Sequence, residues 1–119
     1  MKESNIQKLI QLAASENEIL TFRNNIGSYI TPEGYRVNYG VGGKGGSDLI
    51  GITPMTVTAD MVGRTIGVFT AIEVKTHTGR VTPSQANFIQ VVRNNSAIAG
   101  VCRSTDDLLS LILTYKNQK

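Results

Sequence analysis

The decapeptide IGVFTAIEVK at 66–75 is the strongest strand signal in the chain, because β-branched and aromatic residues dominate it. Thr82 and Gln85 then form a capping box around a proline at the first helical position, which predicts a helix ending near Asn95. AIAGVCR at 97–103 predicts another strand. A strand, a crossover helix and a strand make a βαβ unit, so the two strands should lie parallel in one sheet.

Other segments are assigned from the same kinds of pattern. Apolar residues recur at helical spacing over 3–15, and a last helix should begin after Ser104 or Thr105 and end near Tyr115. Three shorter runs read as strands, at 19–24, 35–39 and 49–53, and the segment 25–34, with Gly27, Pro32 and Gly34, reads as a loop. The order αββββαβα predicts an α/β fold with a mixed β-sheet flanked by helices. A length of 119 residues predicts a single domain, 1–119.

Charge and cysteine content narrow the class of protein. The net charge is +3, and seven basic but only three acidic side chains lie between residues 34 and 105. This basic field suits a polyanionic partner, and the alternative is an ordinary solubilising surface. The single cysteine, Cys102, allows no intramolecular disulfide and, with one histidine in the chain, no Cys-rich zinc site. No run resembles a signal peptide or a membrane span, so we expect a cytoplasmic protein without membrane association.

Three charged residues are candidates for chemistry. Asp48 precedes one predicted strand, and Glu73 and Lys75 lie near the end of another, where alternation places them on one face. Charges on an apolar strand are costly unless they are paired or bind a metal. Glu73 and Lys75 could simply form a structural ion pair. Alternatively, Asp48 and Glu73 could supply the oxygen ligands that Mg2+ or Mn2+ prefers, with Lys75 beside the attacking water in phosphodiester hydrolysis.

Asp48 followed by Glu73-Val74-Lys75 resembles the PD-(D/E)xK nuclease signature. The surrounding sequence resembles the VRR-NUC (virus-type replication-repair nuclease) family of that superfamily. The resembling segments are FRNNIG at 22–27, GYRVNYGVGGKGGSDLIGI at 34–52, AIEVKTHTGRVTPSQANFI at 71–89 and AGVCRSTDD at 99–107. One departure is Ser47, which stands where the signature has proline.

This resemblance implies a restriction-endonuclease-like fold and a role for each matching residue. Asp48, Glu73 and the backbone carbonyl of Val74 would bind Mg2+ or Mn2+, and Lys75 would orient or activate the attacking water. Gln85 would position a phosphate or a water of the metal. Glu3 matches the first-helix acid that completes the family's site, although Glu16 or Glu18 could replace it.

The resemblance also implies an activity: metal-dependent endonucleolytic cleavage of branched DNA, such as four-way (Holliday) junctions, in phage or bacterial replication, repair or recombination. Small members of this kind can act as homodimers, in the bacterial cytoplasm or in that of a phage's host. The rival from another class is a nucleic-acid-binding module of the same fold that has lost catalysis. Phosphate contacts are expected from four basic residues: Lys44, Arg80, Arg36 and Arg23.

The glycine run GVGGKG at 40–45 formally matches a dinucleotide-binding motif, which would suggest a dinucleotide-dependent enzyme. Such a motif must open a helix, whereas this run leads into the predicted strand at 49–53. We therefore expect no nucleotide cofactor. The run reads as a loop whose bare backbone lets a DNA phosphate approach, or as a flexible connection between strands.

Overall fold

In the computed structural model, which describes residues 2–118, the chain divides into two units after Thr53. The first unit contains a helix and four strands: α1 (Glu3–Glu16), β1 (Leu20–Arg23), β2 (Gly27–Ile30), β3 (Arg36–Tyr39) and β4 (Leu49–Ile52). Strand β1 pairs antiparallel with β4, and β2 pairs antiparallel with β3. Helix α1 packs against β1.

The second unit is built around a parallel pair of strands. It contains a short 3-10 helix at Ala59–Met61 and then β5 (Thr70–Val74), α2 (Pro83–Asn94), β6 (Ile98–Cys102) and α3 (Thr105–Lys116). Strand β5 pairs with β6 in parallel, α2 packs against both strands, and α3 packs against β6. The βαβ unit expected from the sequence is therefore confirmed.

Helix α2 starts where the capping box predicts. The backbone N–H of Gln85 donates to Thr82 Oγ1 at 3.2 Å, and Thr82 N–H donates to Gln85 Oε1 at 3.0 Å. Each bond satisfies a backbone donor that helical geometry leaves free at an N-terminus. Pro83, which has no N–H, occupies the first helical position. The start of the crossover helix is thus fixed by local sequence.

Removing the Thr82 hydroxyl should destabilise this unit. We expect Thr82→Ala to lower the free energy of unfolding by about 1 kcal/mol, because the cap to Gln85 N–H is lost. Urea denaturation followed by circular dichroism measures the change. Thr82→Ser keeps an acceptor oxygen at the same position and should retain most of the stability. Equal losses in both variants would show that the hydroxyl cap contributes nothing.

The buried residues of the second unit lie on α2 and along β6. Val92 is fully buried, and Ala97, Ile98, Ala99 and Cys102 are each less than a tenth exposed. Cys102 is a free, buried thiol, as an apolar strand predicts. Where α3 crosses β6, a methyl group on Gly100 would lie only 3.0 Å from Leu111 Cδ1. Because Gly100 has no side chain, α3 can pack close to β6, the strand that pairs with β5.

The strand order differs from the prediction in the first half of the chain. Five strands precede α2 instead of four, because β2 forms inside the segment expected to be a loop. Gly27, which reads as turn punctuation, pairs with Tyr39, and a Cβ atom on Gly27 would lie 2.5 Å from Tyr39 Cζ. Position 27 therefore requires glycine, because any side chain there would collide with the Tyr39 ring on the paired strand. Gly27 does not mark a turn.

The predicted mixed sheet also differs from what is observed. The described strands form three two-stranded sheets, of which only the β5–β6 pair is parallel. Strand β5 begins at Thr70, four residues later than predicted. The reason is that its partner strand β6 begins only at Ile98, whose N–H donates to Phe69 O at 2.9 Å. Ser96, with φ 66°, turns the chain just before that point. No helix within residues 2–118 is long and apolar enough to cross a lipid bilayer.

Candidate active site

Glu73 and Lys75 point to the same face of the β5 segment, as alternation predicts. Lys75 Nζ lies 3.5 Å from Glu73 Oε1, and the two side chains are 18% and 31% exposed, respectively. The apolar side chains that alternate with them, Ile72 and Val74, are 42% and 76% exposed. The charged face is therefore the more buried one. Half-buried charges persist when they are paired, and this ion pair meets that requirement.

Gln85 connects the start of α2 to the same carboxylate. Its Nε2 donates to Glu73 Oε1 at 2.9 Å while its Oε1 accepts the Thr82 N–H of the capping box. Both polar ends of the amide are thus engaged, which fixes its rotamer. The structure brings Glu73, Lys75 and Gln85 together, as expected for residues that share one site.

The contacts to Glu73 leave one of its oxygens open. The ammonium of Lys75 and the amide of Gln85 both approach Oε1, and no hydrogen bond or ion pair joins Oε2 to any residue from 2 to 118. A pocket of about 240 Å³ opens beside the carboxylate. Its lining consists of Ala71, Ile72, Glu73, Ser84, Gln85, Phe88 and Ile89. A carboxylate held at one oxygen and open at the other, next to a pocket, can accept a cation or a hydrogen-bond donor there.

A larger pocket of about 510 Å³ lies in the same unit, where Ser96, Ile98 and Tyr115 are among its lining residues. It opens at the amino-terminal end of β6, whereas Glu73 pairs with Val101 near the carboxyl-terminal end. No residue predicted for the site lines it. The smaller pocket is the one that holds the candidate chemistry.

Asp48 lies in the first unit, immediately before β4, at the head of the strand as predicted. Its side chain is exposed, and its backbone carbonyl accepts the N–H of Asn24 at 2.9 Å. The glycine run precedes this strand and does not open a helix, as the sequence indicated. Gly40 has φ 95°, and a Cβ atom there would lie 2.6 Å from Asn25 O, so this position requires glycine.

Asn24 holds the glycine loop in place, a role that was not predicted from the sequence. Its Nδ2 donates to Val41 O at 2.8 Å and to Ser47 O at 2.9 Å, and its Oδ1 accepts the Val41 N–H at 2.9 Å. One amide therefore closes the loop at both ends. The available signal was an asparagine at the end of a predicted strand, which is a residue type that bonds to nearby backbone.

Ser47, which replaces the signature proline, donates its hydroxyl to Leu49 O at 3.1 Å. The bond spans Asp48 and constrains the backbone on both sides of the carboxylate. A serine hydroxyl bond of this kind limits local conformation by hydrogen bonding, where proline would do so by fixing φ. Ser47 therefore restrains the backbone around Asp48 although it replaces the signature proline.

Other predicted residues are distributed over both units. Glu3 is the exposed first residue of α1, Glu16 is the last residue of that helix, and Glu18 follows with φ 62°. All three belong to the first unit, together with three of the predicted phosphate contacts: Lys44, Arg36 and Arg23. All three basic residues are exposed, and Arg36 Nη1 donates to Ser28 Oγ at 2.9 Å. Arg80 is exposed in the second unit, close in sequence to Lys75.

The donor chemistry of the described residues limits the kind of metal that they could hold. No group of three or more His, Cys, Asp or Glu side chains within residues 2–118 forms a metal-binding cluster. The part of the chain that the structure describes therefore contains no all-protein cage of the kind that structural zinc uses. Mg2+ commonly takes one or two carboxylates and leaves its other positions to water and phosphate, so the open oxygen of Glu73 fits that ion.

Comparison with known proteins identifies the family. A model described as the VRR-NUC domain matches residues 11–106, which is most of the chain and includes Asp48, Glu73, Lys75 and Gln85. No curated protein and no solved structure matches the chain. The α/β architecture, with its parallel β5–β6 pair and flanking helices, is consistent with the family's nuclease fold. The chain belongs to the VRR-NUC family of nuclease domains.

Proposed function

We propose that this nuclease domain is a divalent-metal-dependent DNA endonuclease that hydrolyses phosphodiester bonds. The observation that carries the proposal is the Glu73 carboxylate, whose Oε1 is held by Lys75 and Gln85 while Oε2 has no hydrogen bond or ion pair with residues 2–118. Glu73 also lines a pocket. A purely structural ion pair would not require a third residue from another element to orient the carboxylate. An oriented carboxylate beside an ammonium is what metal-assisted hydrolysis of an anionic substrate requires.

Mg2+ or Mn2+ would be held by Glu73, by the backbone carbonyl of Val74 and by Asp48, whose part rests on the family signature. Carboxylate and carbonyl oxygens are the ligands these hard cations prefer. When bound, the cation supplies Lewis acidity, which polarises a phosphoryl oxygen and favours attack by water.

The protein's own groups would orient the reactants. In hydrolysis, the oxygen of a water molecule forms a bond to phosphorus while the bond from phosphorus to the leaving sugar oxygen breaks. The Lys75 ammonium can donate a hydrogen bond to the attacking water or to a phosphoryl oxygen, and its charge offsets that of the phosphate. Gln85 keeps Glu73 in place through its Nε2. Glu3 is proposed as a further acid of the site because it matches the family's first-helix acid.

Basic residues would hold the DNA backbone. Arg80 follows the turn after Lys75, and Lys44 lies in the glycine loop, where the absence of side chains lets a phosphate approach the backbone. Arg23 and Arg36 are the other proposed contacts. Such contacts fix the register of the duplex on the protein without reading its sequence.

We infer that the substrate is branched DNA, such as a four-way junction, and that the enzyme acts as a homodimer in the cytoplasm. The family resemblance supports both inferences, as it does a role in phage or bacterial replication, repair or recombination. The dimer has a physical argument as well, since one chain carries one Glu73–Lys75 set and cleavage of two strands at a junction requires two. A binding module without catalysis is the alternative, and turnover separates the two.

The direct test is cleavage of linear, flapped, nicked and four-way-junction DNA with Mg2+, with Mn2+ and with EDTA. We expect Lys75→Ala to lower the single-turnover rate by about 10² to 10⁴-fold, the range in which positioned proton-transfer and charge-stabilising side chains contribute. Lys116→Ala, in the last turn of α3, removes the same charge from the same unit and should cleave like wild type. Metal-independent binding of junctions without turnover by wild type would favour the inactive module.

A further inference from the structure

Arg103 lies at the junction of β6 and α3, and local hydrogen bonds fix its backbone. Its N–H donates to Asp107 Oδ2 at 2.8 Å, and the Asp107 N–H donates to the hydroxyl of Ser104, the N-cap of α3, at 3.1 Å. These bonds fix the point from which the long Arg103 side chain extends. Strand β6 runs parallel to β5, so Arg103 emerges at the same sheet end as Lys75.

The Arg103 guanidinium binds the turn that follows Lys75. Its Nη1 donates to Thr76 O at 2.6 Å and to Gly79 O at 2.7 Å, and His77 O lies 3.5 Å away. The Gly79 N–H closes the turn by donating to Thr76 O at 3.1 Å. The two hydrogens of Nη1 match the two short bonds, and hydrogen bonds from a cation are stronger than neutral ones. One arginine therefore holds both ends of the turn at 76–79.

Gly79 of this turn lies beside the side chain of Lys75. A Cβ atom built on Gly79 would lie 3.1 Å from Thr76 Oγ1 and 3.5 Å from Lys75 Cδ. The turn backbone is thus close to the hydrocarbon stem whose Nζ lies 3.5 Å from Glu73 Oε1. A shift of the turn would open space beside the stem and release the ammonium from its position.

We propose that Arg103 is a positioning residue of the nuclease: by anchoring the turn at 76–79, it holds the Lys75 ammonium beside Glu73. This role rests on the proposed function, because it assumes that Lys75 acts in phosphodiester cleavage. In this role Arg103 acts through the turn, with its Nη1 bonded to the turn backbone. The loss of Arg103 should therefore slow the chemical step and leave DNA binding unchanged.

The test compares Arg103→Ala and Arg103→Lys with Arg64→Ala as control. Arg64 is an exposed arginine of the same unit whose side chain makes no hydrogen bond or ion pair with residues 2–118. We expect Arg103→Ala to lower kcat by about 10 to 100-fold. This is the usual loss, about 10 to 100-fold, when a residue that orients a functional group, without itself contacting the substrate or metal, is removed. KM should stay within about 2-fold of wild type, because substrate binding is unaffected. Arg103→Lys keeps the charge but has a shorter reach, so it should show a smaller loss of kcat.

Amide hydrogen exchange of Gly79, measured by NMR in the same variants, reports on the turn directly. Exchange should be faster in Arg103→Ala and unchanged in Arg64→Ala. Wild-type kcat in Arg103→Ala, a raised KM with unchanged kcat, or unchanged Gly79 exchange would each overturn the positioning role. An inactive wild-type protein in every metal condition would instead overturn the proposed function, and this role with it. If Arg103→Ala does not fold, the kcat and Gly79 exchange of Arg103→Lys decide the question.

Discussion

Glu73→Gln should cleave DNA about 10³-fold or more slowly than wild type in Mg2+ or Mn2+, because the substitution removes a proposed ligand of a cation that is worth several kcal/mol of transition-state stabilisation. The substitution keeps the shape of the side chain and a carbonyl oxygen that can still accept from Gln85 Nε2. It removes the negative charge that would hold the cation and pair with Lys75. Single-turnover cleavage with enzyme in excess measures the loss.

Asp106→Asn is the matched control for Glu73→Gln, since it removes a carboxylate from the first turn of α3 in the same unit. It should cleave like wild type and lose only the small stabilisation that an acid gives to a helix N-terminus, about 0.3 to 1 kcal/mol. Urea denaturation should show that Glu73→Gln remains folded. If Glu73→Gln cleaved DNA at the wild-type rate, Glu73 would be a structural partner of Lys75 and the metal site would lie elsewhere.

The second unit was more predictable than the first because its signals are local. The βαβ unit follows from one β-rich run and a capping box, and both act within a few residues of the backbone they fix. Strand β2 was missed because its existence depends on β3. Gly27 is determined by the ring of Tyr39, twelve positions away, and a glycine in isolation reads as a turn.

The site shows the same division between local and distant signals. Strand alternation predicts that Glu73 and Lys75 share a face, and the capping box places Gln85 at the first turn of the following helix. The partners of Asn24 and Arg103 could not be predicted because they are backbone groups, most of them carbonyls. Every residue has a backbone carbonyl that can accept a hydrogen bond, so no residue type in the sequence marks which one will be the partner. Only the folded chain shows which loops these side chains hold.

Asp48→Asn should reduce metal-dependent cleavage as severely as Glu73→Gln, by about 10³-fold or more, if Asp48 is the second carboxylate ligand of the cation, as we propose from the family signature. Its exposed side chain and the backbone bond from Asn24 imply that the fold tolerates the change, with stability within about 0.5 kcal/mol of wild type. Thermal denaturation with and without Mn2+ gives a second measurement, since a ligand that binds only the folded state raises Tm. This rise should disappear in Asp48→Asn and persist in Glu33→Gln, an exposed acid of the same unit. Full cleavage activity with a retained Mn2+ shift in Asp48→Asn would remove Asp48 from the ligand set and make Glu3, Glu16 or Glu18 the next acids to substitute.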